Sequence, residues 1–184
     1  MQNAVTAEIV EPYAEALMSL AKEKNITDEI GGNIRSLKTL FDESEDLGTF
    51  LASPLVGAED KKEVIKKIAS EQVNPFLLNF LLLLVDRQRI NVAEAIFDKY
   101  LENLRKLNNV VLAEVTSAVQ LYEGEAEKLV EKIKALTGAN GVEIETNIDP
   151  DIIGGVIIKV GSQIYDASIK GQLRRISRSM LGTA

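Results

Sequence analysis

Two periodicities divide the chain. Through the first hundred or so residues apolar side chains recur at three- and four-residue intervals; through much of the remainder they alternate. In "EPYAEALMSLAKEKN", Tyr13, Leu17 and Leu20 form an apolar stripe with Ala14 and Met18 beside it, which predicts a helix with Pro12 in its first turn. "TDEIGGNIRSLKTLFDES" predicts a second helix, with Thr27 as N-cap and Ile30, Ile34, Leu37 and Phe41 buried. Glycine costs about 1 kcal/mol in a helix interior, so Gly31-Gly32 implies a close helix–helix approach. "LGTFLASP" reads as a short helix stopped at Pro54. "GAEDKKEVIKKIASEQ" is acidic in front and basic behind, as the helix dipole favours. "NPFLLNFLLLLVDRQRI" and "VAEAIFDKYLENLRKL" follow, giving five or six helices that hold all five phenylalanines: a small helical bundle.

After "LNN" at 107–109 the pattern changes. "VVLAEVTSAV" is β-branched and roughly alternating, a strand. "YEGEAEKLVEKIKALTG" is an amphipathic helix with Leu129, Ile133 and Leu136 inward and Gly138 as its stop. "VEIETNI" sets Val142, Ile144, Thr146 and Ile148 against polar neighbours, which predicts a half-buried strand. "GVIIKV" and "QIYDAS" predict a hairpin turning at Gly161-Ser162, and "IKGQLRRISRSML" closes as a basic helix. The predicted class is α+β, mainly α: helices over 1–107, then a small α/β domain over 108–184 ordered β-α-β-β-β-α. No Gly/Pro linker marks the boundary, so the last helix of the bundle runs on into the sheet.

Composition narrows the chemistry. The chain has no cysteine and no histidine, which removes thiolate nucleophiles, cysteine-ligated zinc and the commonest general base. A net charge of -7 repels nucleic-acid phosphate and anionic lipid alike. The first residues lack the basic and apolar regions of a secretory signal, as suits a bacterial cytoplasmic or mature organellar protein. The apolar run 76–85 is about half of what a bilayer crossing needs, so it reads as a buried helix that leaves a face for another protein to cover.

The segment "GGVIIKVGSQIYDASIKGQLRR", 154–175, raises two candidate chemistries. A phosphate cradle needs G-x-x-x-x-G-K-[ST] opening a helix; here Ser162 follows Gly161 and the glycines flank a strand, so Gly154-Gly155 reads as a tight backbone approach. Asp166 and Ser168 could act as acid and nucleophile, but the serine lacks an activating base, and the strand-to-helix corner favours helix capping. Asp149 and Asp151 around Pro150 read as a polar turn rather than a cation site. The tail "KGQLRRISRSML" is basic with no aromatic residue to stack on a base, which points to an acidic protein partner rather than nucleic acid. An enzyme built on carboxylates alone would need an inward-facing pair, which the pattern does not show; nucleotide turnover would reveal one. A nucleic-acid adaptor would reveal itself in a salt-dependent gel shift.

One combination is specific. Gly154-Gly155, an apolar strand, a turn, a strand ending Asp166-x-Ser168, then Lys170-Gly171-x-Leu173 resembles the C-terminal signature of the delta subunit of F-type ATP synthase. This family includes the mitochondrial oligomycin-sensitivity-conferring protein. "PYAEAL", with Tyr13, Ala14 and Ala16, resembles that family's start, and "LLLLVDRQRI" its apolar helix with a polar, arginine-bearing corner. Where many members carry an acid after Gly-x-Leu, this chain carries Arg174 and Arg175. The resemblance implies a six-helix N-terminal bundle, a smaller C-terminal domain, no catalysis and no cofactor or metal. It implies a stator subunit that joins the catalytic head to the peripheral stalk and holds the head against rotor torque during proton-driven ATP synthesis. A groove between the first and fifth helices, with Tyr13, Ala16, Leu17, Phe80 and Leu83, would take the N-terminal helix of an alpha subunit. The C-terminal domain would meet b-type stalk subunits through the signature residues and Lys170, Arg174, Arg175 and Arg178. The implied location is the cytoplasmic or stromal face of a plasma or thylakoid membrane, with the membrane reached only through the stalk.

Overall fold

The structure is a computed structural model that describes residues 2–69, 73–120 and 122–181. It contains eight α-helices and one four-stranded sheet among the described residues, and it divides into two compact units, Met1–Leu104 and Arg105–Ala184. The class is α+β and mainly helical.

The first unit holds α1 (Gln2–Lys24), α2 (Thr27–Glu43), α3 (Glu45–Ala52), α4 (Ala58–Ala69), α5 (Pro75–Asp86) and most of α6 (Ala93–Asn108), with a 3-10 turn at Ile90–Val92. The helical stripes converge: Ala14 and Leu17 of α1, Ile30 and Ile34 of α2, Leu77 and Leu84 of α5, and Ile96, Phe97 and Tyr100 of α6 are all buried in one core. Phe41 is partly buried and stacks on Phe97, centroids 6.5 Å apart. Tyr100 reaches out of the core to donate to the Thr27 carbonyl at 3.0 Å. Its burial first, and the charge of Asp28 second, push its pKa up to about 12.

Three local expectations are corrected here. Pro12 lies ten residues inside α1 rather than in its first turn. The hydrogen bond it cannot donate would have gone to the carbonyl of Glu8, a residue exposed on the surface of the helix. Thr27 is the first residue of α2, not its cap; the chain reverses through Asn25 at φ +56°, and Ile26 precedes the helix without a side-chain hydrogen bond. Of the glycine pair only Gly31 mediates close packing: a Cβ there would fall on the Leu104 side chain of α6, whereas Gly32 faces open space.

Asn74 sets the start of α5. Its side chain accepts from Phe76 N–H at 2.9 Å and donates to Glu29 at 2.8 Å, while its own N–H donates to Asn33 at 2.8 Å. These bonds tie the apolar helix to α2. Leu77, Leu81, Leu84 and Val85 of α5 face the core, which leaves Phe80 partly covered and Leu83 exposed.

In the second unit β1 (Val110–Ser117), α7 (Glu123–Thr137) and β2 (Gly141–Ile148) form a parallel β-α-β unit. A 3-10 turn at Pro150–Ile152, β3 (Val156–Val160), β4 (Gln163–Asp166) and α8 (Ile169–Leu181) follow. The sheet order is β2-β1-β3-β4, with β3 antiparallel to both neighbours. Ala113, Val115, Ile133 and Ile158 are the buried centre, with Leu129, Val142 and Ile144 packed on it. Gly138 closes α7 at φ +68°, and Gly161 turns the hairpin at φ +58°.

This core is small, and three expected inward positions fall outside it. Leu136, in the last turn of α7, is exposed. Thr146 and Ile148 of β2 are exposed too, because β2 is an edge strand whose second half runs past the buried centre. Asp149 caps the 3-10 turn by accepting from Asp151 N–H at 3.0 Å, a polar turn.

Candidate docking surfaces

Tyr13, Ala16 and Leu17 project from successive turns of α1, and Phe80 and Leu83 sit three residues apart on α5. The structure brings all five together in one open cleft of about 420 Å³, with Pro12 and Leu20 completing its lining. Leu17 is its buried floor, Ala16 a gap in its rim, and Leu83 is 44% exposed on the far wall. Tyr13 and Phe80 meet edge to face with centroids 6.2 Å apart, which fixes the spacing of the two helices at that end. The Arg89 guanidinium lies 5.5 Å from the Tyr13 ring centroid, so one end of the apolar cleft carries a cation.

Sequence reasoning did not assign Pro12, Leu20 or Arg89 to this cleft. Leu20 carried a signal, since it lies on the same stripe as Tyr13 and Leu17. Arg89 carried none, because its approach to Tyr13 depends on how the chain turns after α5, through Gln88 at φ +56°.

The signature residues of the second unit assemble a strand-to-helix corner. Ser168 is buried and bonds in both directions: its hydroxyl donates to Asp166 Oδ1 at 2.6 Å and accepts from Gly171 N–H at 3.0 Å. The same Asp166 oxygen accepts from Ser168 N–H at 2.9 Å. The hydroxyl bond first, and the N–H bond second, hold the Asp166 carboxyl below the usual carboxylate range. Ser168 is therefore the N-cap of α8, and the pair is architecture with no nucleophile geometry. The glycines fit closely around it. A Cβ on Gly171 would overlap the Asp166 carboxylate; one on Gly155, which sits at φ +78°, would overlap the Ala167 carbonyl. Gly154 accepts from Ile169 N–H at 2.9 Å and lies against the Ile169 side chain.

α8 itself presents two adjacent lines to solvent. Ile169, Leu173 and Ile176, at i, i+4 and i+7, are all exposed, Ile176 by 55%. Lys170, Arg174 and Arg178 run beside them at four-residue steps, also exposed and without a hydrogen bond or ion pair among the described residues. Arg175 differs: it donates to the Asp166 carbonyl at 3.3 Å, so it braces the corner as well as adding charge. Ile169 and Ile176 were not among the expected contact residues, although their spacing with Leu173 was visible. Near the corner Ile153, a β-branched residue, is held at φ +71° with its side chain 63% exposed.

No helix among the described residues is long and apolar enough to cross a membrane. Residues 9–180 match the family described as ATP synthase delta (OSCP) subunit. The chain is 52% identical over 179 residues to ATP synthase subunit delta of Crocosphaera subtropica, covering 97% of each chain. It is 51% identical to the Synechocystis sp. protein of the same name, covering 97% of this chain and 96% of that one. Its fold is similar to a chain in the mitochondrial ATP synthase hexamer of Toxoplasma gondii, with a TM-score of 0.75 at 20% identity, covering 94% of this chain and 97% of that one. The chain belongs to the ATP synthase delta (OSCP) subunit family.

Proposed function

We propose that the α1–α5 cleft receives an amphipathic helix, the N-terminal helix of an alpha subunit, and that α8 receives the end of a b-type stalk subunit. As a member of its family the chain is a non-catalytic subunit linking the catalytic head of ATP synthase to the peripheral stalk. In this reading residues 1–107 act as a six-helix bundle for head binding, and 108–184 as the stalk-binding domain. In this reading the chain sits at the cytoplasmic or stromal face of an energy-transducing membrane, plasma or thylakoid, and reaches the membrane only through the stalk.

The observation that carries the reading is the uncovered cleft between α1 and α5, apolar along its walls and open along its length. A helix with apolar residues at i, i+3/i+4 and i+7 supplies the complementary ridge. An acidic residue at its end would meet Arg89 over Tyr13. At α8 the adjoining apolar and basic lines suit an acidic amphipathic helix; the apolar line supplies affinity and the charges mainly association rate.

Calorimetric titration of the full chain with an alpha-subunit N-terminal peptide tests the first assignment, with saturable one-to-one binding expected. Truncation after Asp166 tests the second. The shortened chain should lose the stalk subunit and keep the alpha peptide; loss of both, or of neither, would show that the two surfaces are not separate sites.

A further inference from the structure

β2 lies at one edge of the sheet. Its inner side pairs with β1 in step through eight residues, from Val110↔Gly141 to Ser117↔Ile148, and the sheet order leaves its outer side without a neighbouring strand. No backbone hydrogen bond crosses that outer side among the described residues. Edge strands are ordinarily blunted by short length, a proline or a bulge. β2 has none of these: its register is unbroken and no proline interrupts it. Its second half, 145–148, is exposed residue by residue. Open N–H and C=O groups in a regular row are a template for one more strand.

Two rows of side chains say what that strand would carry. On the face turned to α7, the alternation Val142, Ile144, Thr146, Ile148 continues past the buried centre, and Ile148 is left exposed beside the buried Ser117. An apolar residue on an added strand would cover it. On the opposite face, Glu145 stands directly beside Glu114, and Glu114 beside Lys159. Lys159 donates to both Glu114 oxygens, at 2.8 and 3.1 Å, so that carboxylate has its counter-charge. Glu145 is left at the outer end of the row, against a like charge and without an ion pair among the described residues. A cation on the next strand would stand opposite Glu145 and close the row with a positive charge at each end. A second copy of β2 does not supply it, because antiparallel pairing centred on Ile144 or Glu145 sets glutamate against glutamate.

We propose that the outer edge of β2, along Glu145–Ile148, takes an added strand: an extended partner segment alternating basic and β-branched residues, with a lysine or arginine opposite Glu145. This edge shares no residue with the α1–α5 cleft or with α8, and it rests on neither of those assignments.

The test uses the intact chain and end-capped peptides of eight residues. A lysine–valine alternation should give saturable amide shifts over 144–148 in a nitrogen–proton correlation spectrum, and the β2 amides should gain protection from hydrogen exchange. A glutamate–valine alternation should bind at least about fivefold more weakly, since like charges opposed across strands repel. Glu145→Lys, at an exposed position, should reverse that order. The lysine–valine peptide N-methylated at its four central residues keeps its charge but cannot join a ladder, and it should leave β2 unshifted. If Glu145 serves only to keep the edge solvated, neither peptide will give saturable shifts in β2, and the proposal fails. Equal binding of the N-methylated peptide would show general attraction to an acidic chain and would overturn it. So would an unchanged order of affinities in Glu145→Lys.

Discussion

Replacing Ser168 with alanine deletes one hydroxyl that bonds in two directions. As N-cap it accepts from Gly171 N–H at 3.0 Å, and losing such a cap costs about 1 kcal/mol, within a range of roughly 0.5–2. Ser168 is 1% exposed and the freed Gly171 N–H is partly buried, which puts the cost toward the upper half of that range. The bond to Asp166 is left out of that figure, because the carboxylate is open to water and keeps the Ser168 N–H at 2.9 Å. The expected loss is thus about 1–2 kcal/mol, concentrated in α8, and amide hydrogen exchange of that helix measures it. Acid titration gives an independent check. With its folded pKa depressed, Asp166 contributes stability that is complete above about pH 4, its unfolded value, and that disappears as pH falls through the depressed one. Because the Ser168 hydroxyl is the largest cause of that depression, the acid limb of the Ser168→Ala variant should begin at the same pH, end at a higher one and be smaller. Asp166→Asn should flatten it altogether. Unchanged exchange in α8, or an acid limb in the same place, would mean that the corner does not hold the helix as described.

Three further outcomes follow from the first unit. Ala16→Arg should fill the gap in the cleft rim and displace one apolar anchor of a bound helix, weakening alpha-peptide affinity by about 2 kcal/mol, roughly 30-fold, with circular dichroism unchanged. Gly31→Val should force a branched side chain into Leu104 and destabilise the unit by about 1–3 kcal/mol in urea, whereas Gly32→Ala, facing open space, should be neutral or stabilising. Tyr100→Phe should strand the partly buried Thr27 carbonyl and cost about 1–2 kcal/mol. In the unaltered chain the raised Tyr100 pKa contributes stability that is full below about pH 10 and lost as pH climbs toward about 12, which spectrophotometric tyrosine titration should follow.

The helical stripes and the succession of elements along the chain were legible in the sequence because burial imposes one period on helices and another on strands. Ile30, Ile34 and Leu37 lie where the 3.6-residue period puts them. What was not legible depends on the third dimension. The Gly31-Gly32 pair reads symmetrically, yet only one member meets α6, and which one depends on the rotation of α2 about its axis. Pro12 reads as a helix start because proline is tolerated there, but nothing local says that the helix already runs for ten residues before it. β2 alternates strictly to its end, while the core it should face stops halfway along it.

The candidate surfaces fail to be legible in a more instructive way. Leu173 and Ile176 are spaced as core positions are, so periodicity assigns them inward, and within this chain there is no inward for them. The same holds for Leu83, which belongs by composition to the most apolar helix and is nonetheless left at the surface by Leu77, Leu81 and Leu84, which fill the space beneath α5. A hydrophobic pattern records that a face is buried in the working state and does not record by what. Where the chain's own elements leave such a face uncovered in a regular line, with cations running alongside as Lys170, Arg174 and Arg178 do, the proposed cover is an acidic helix from a partner.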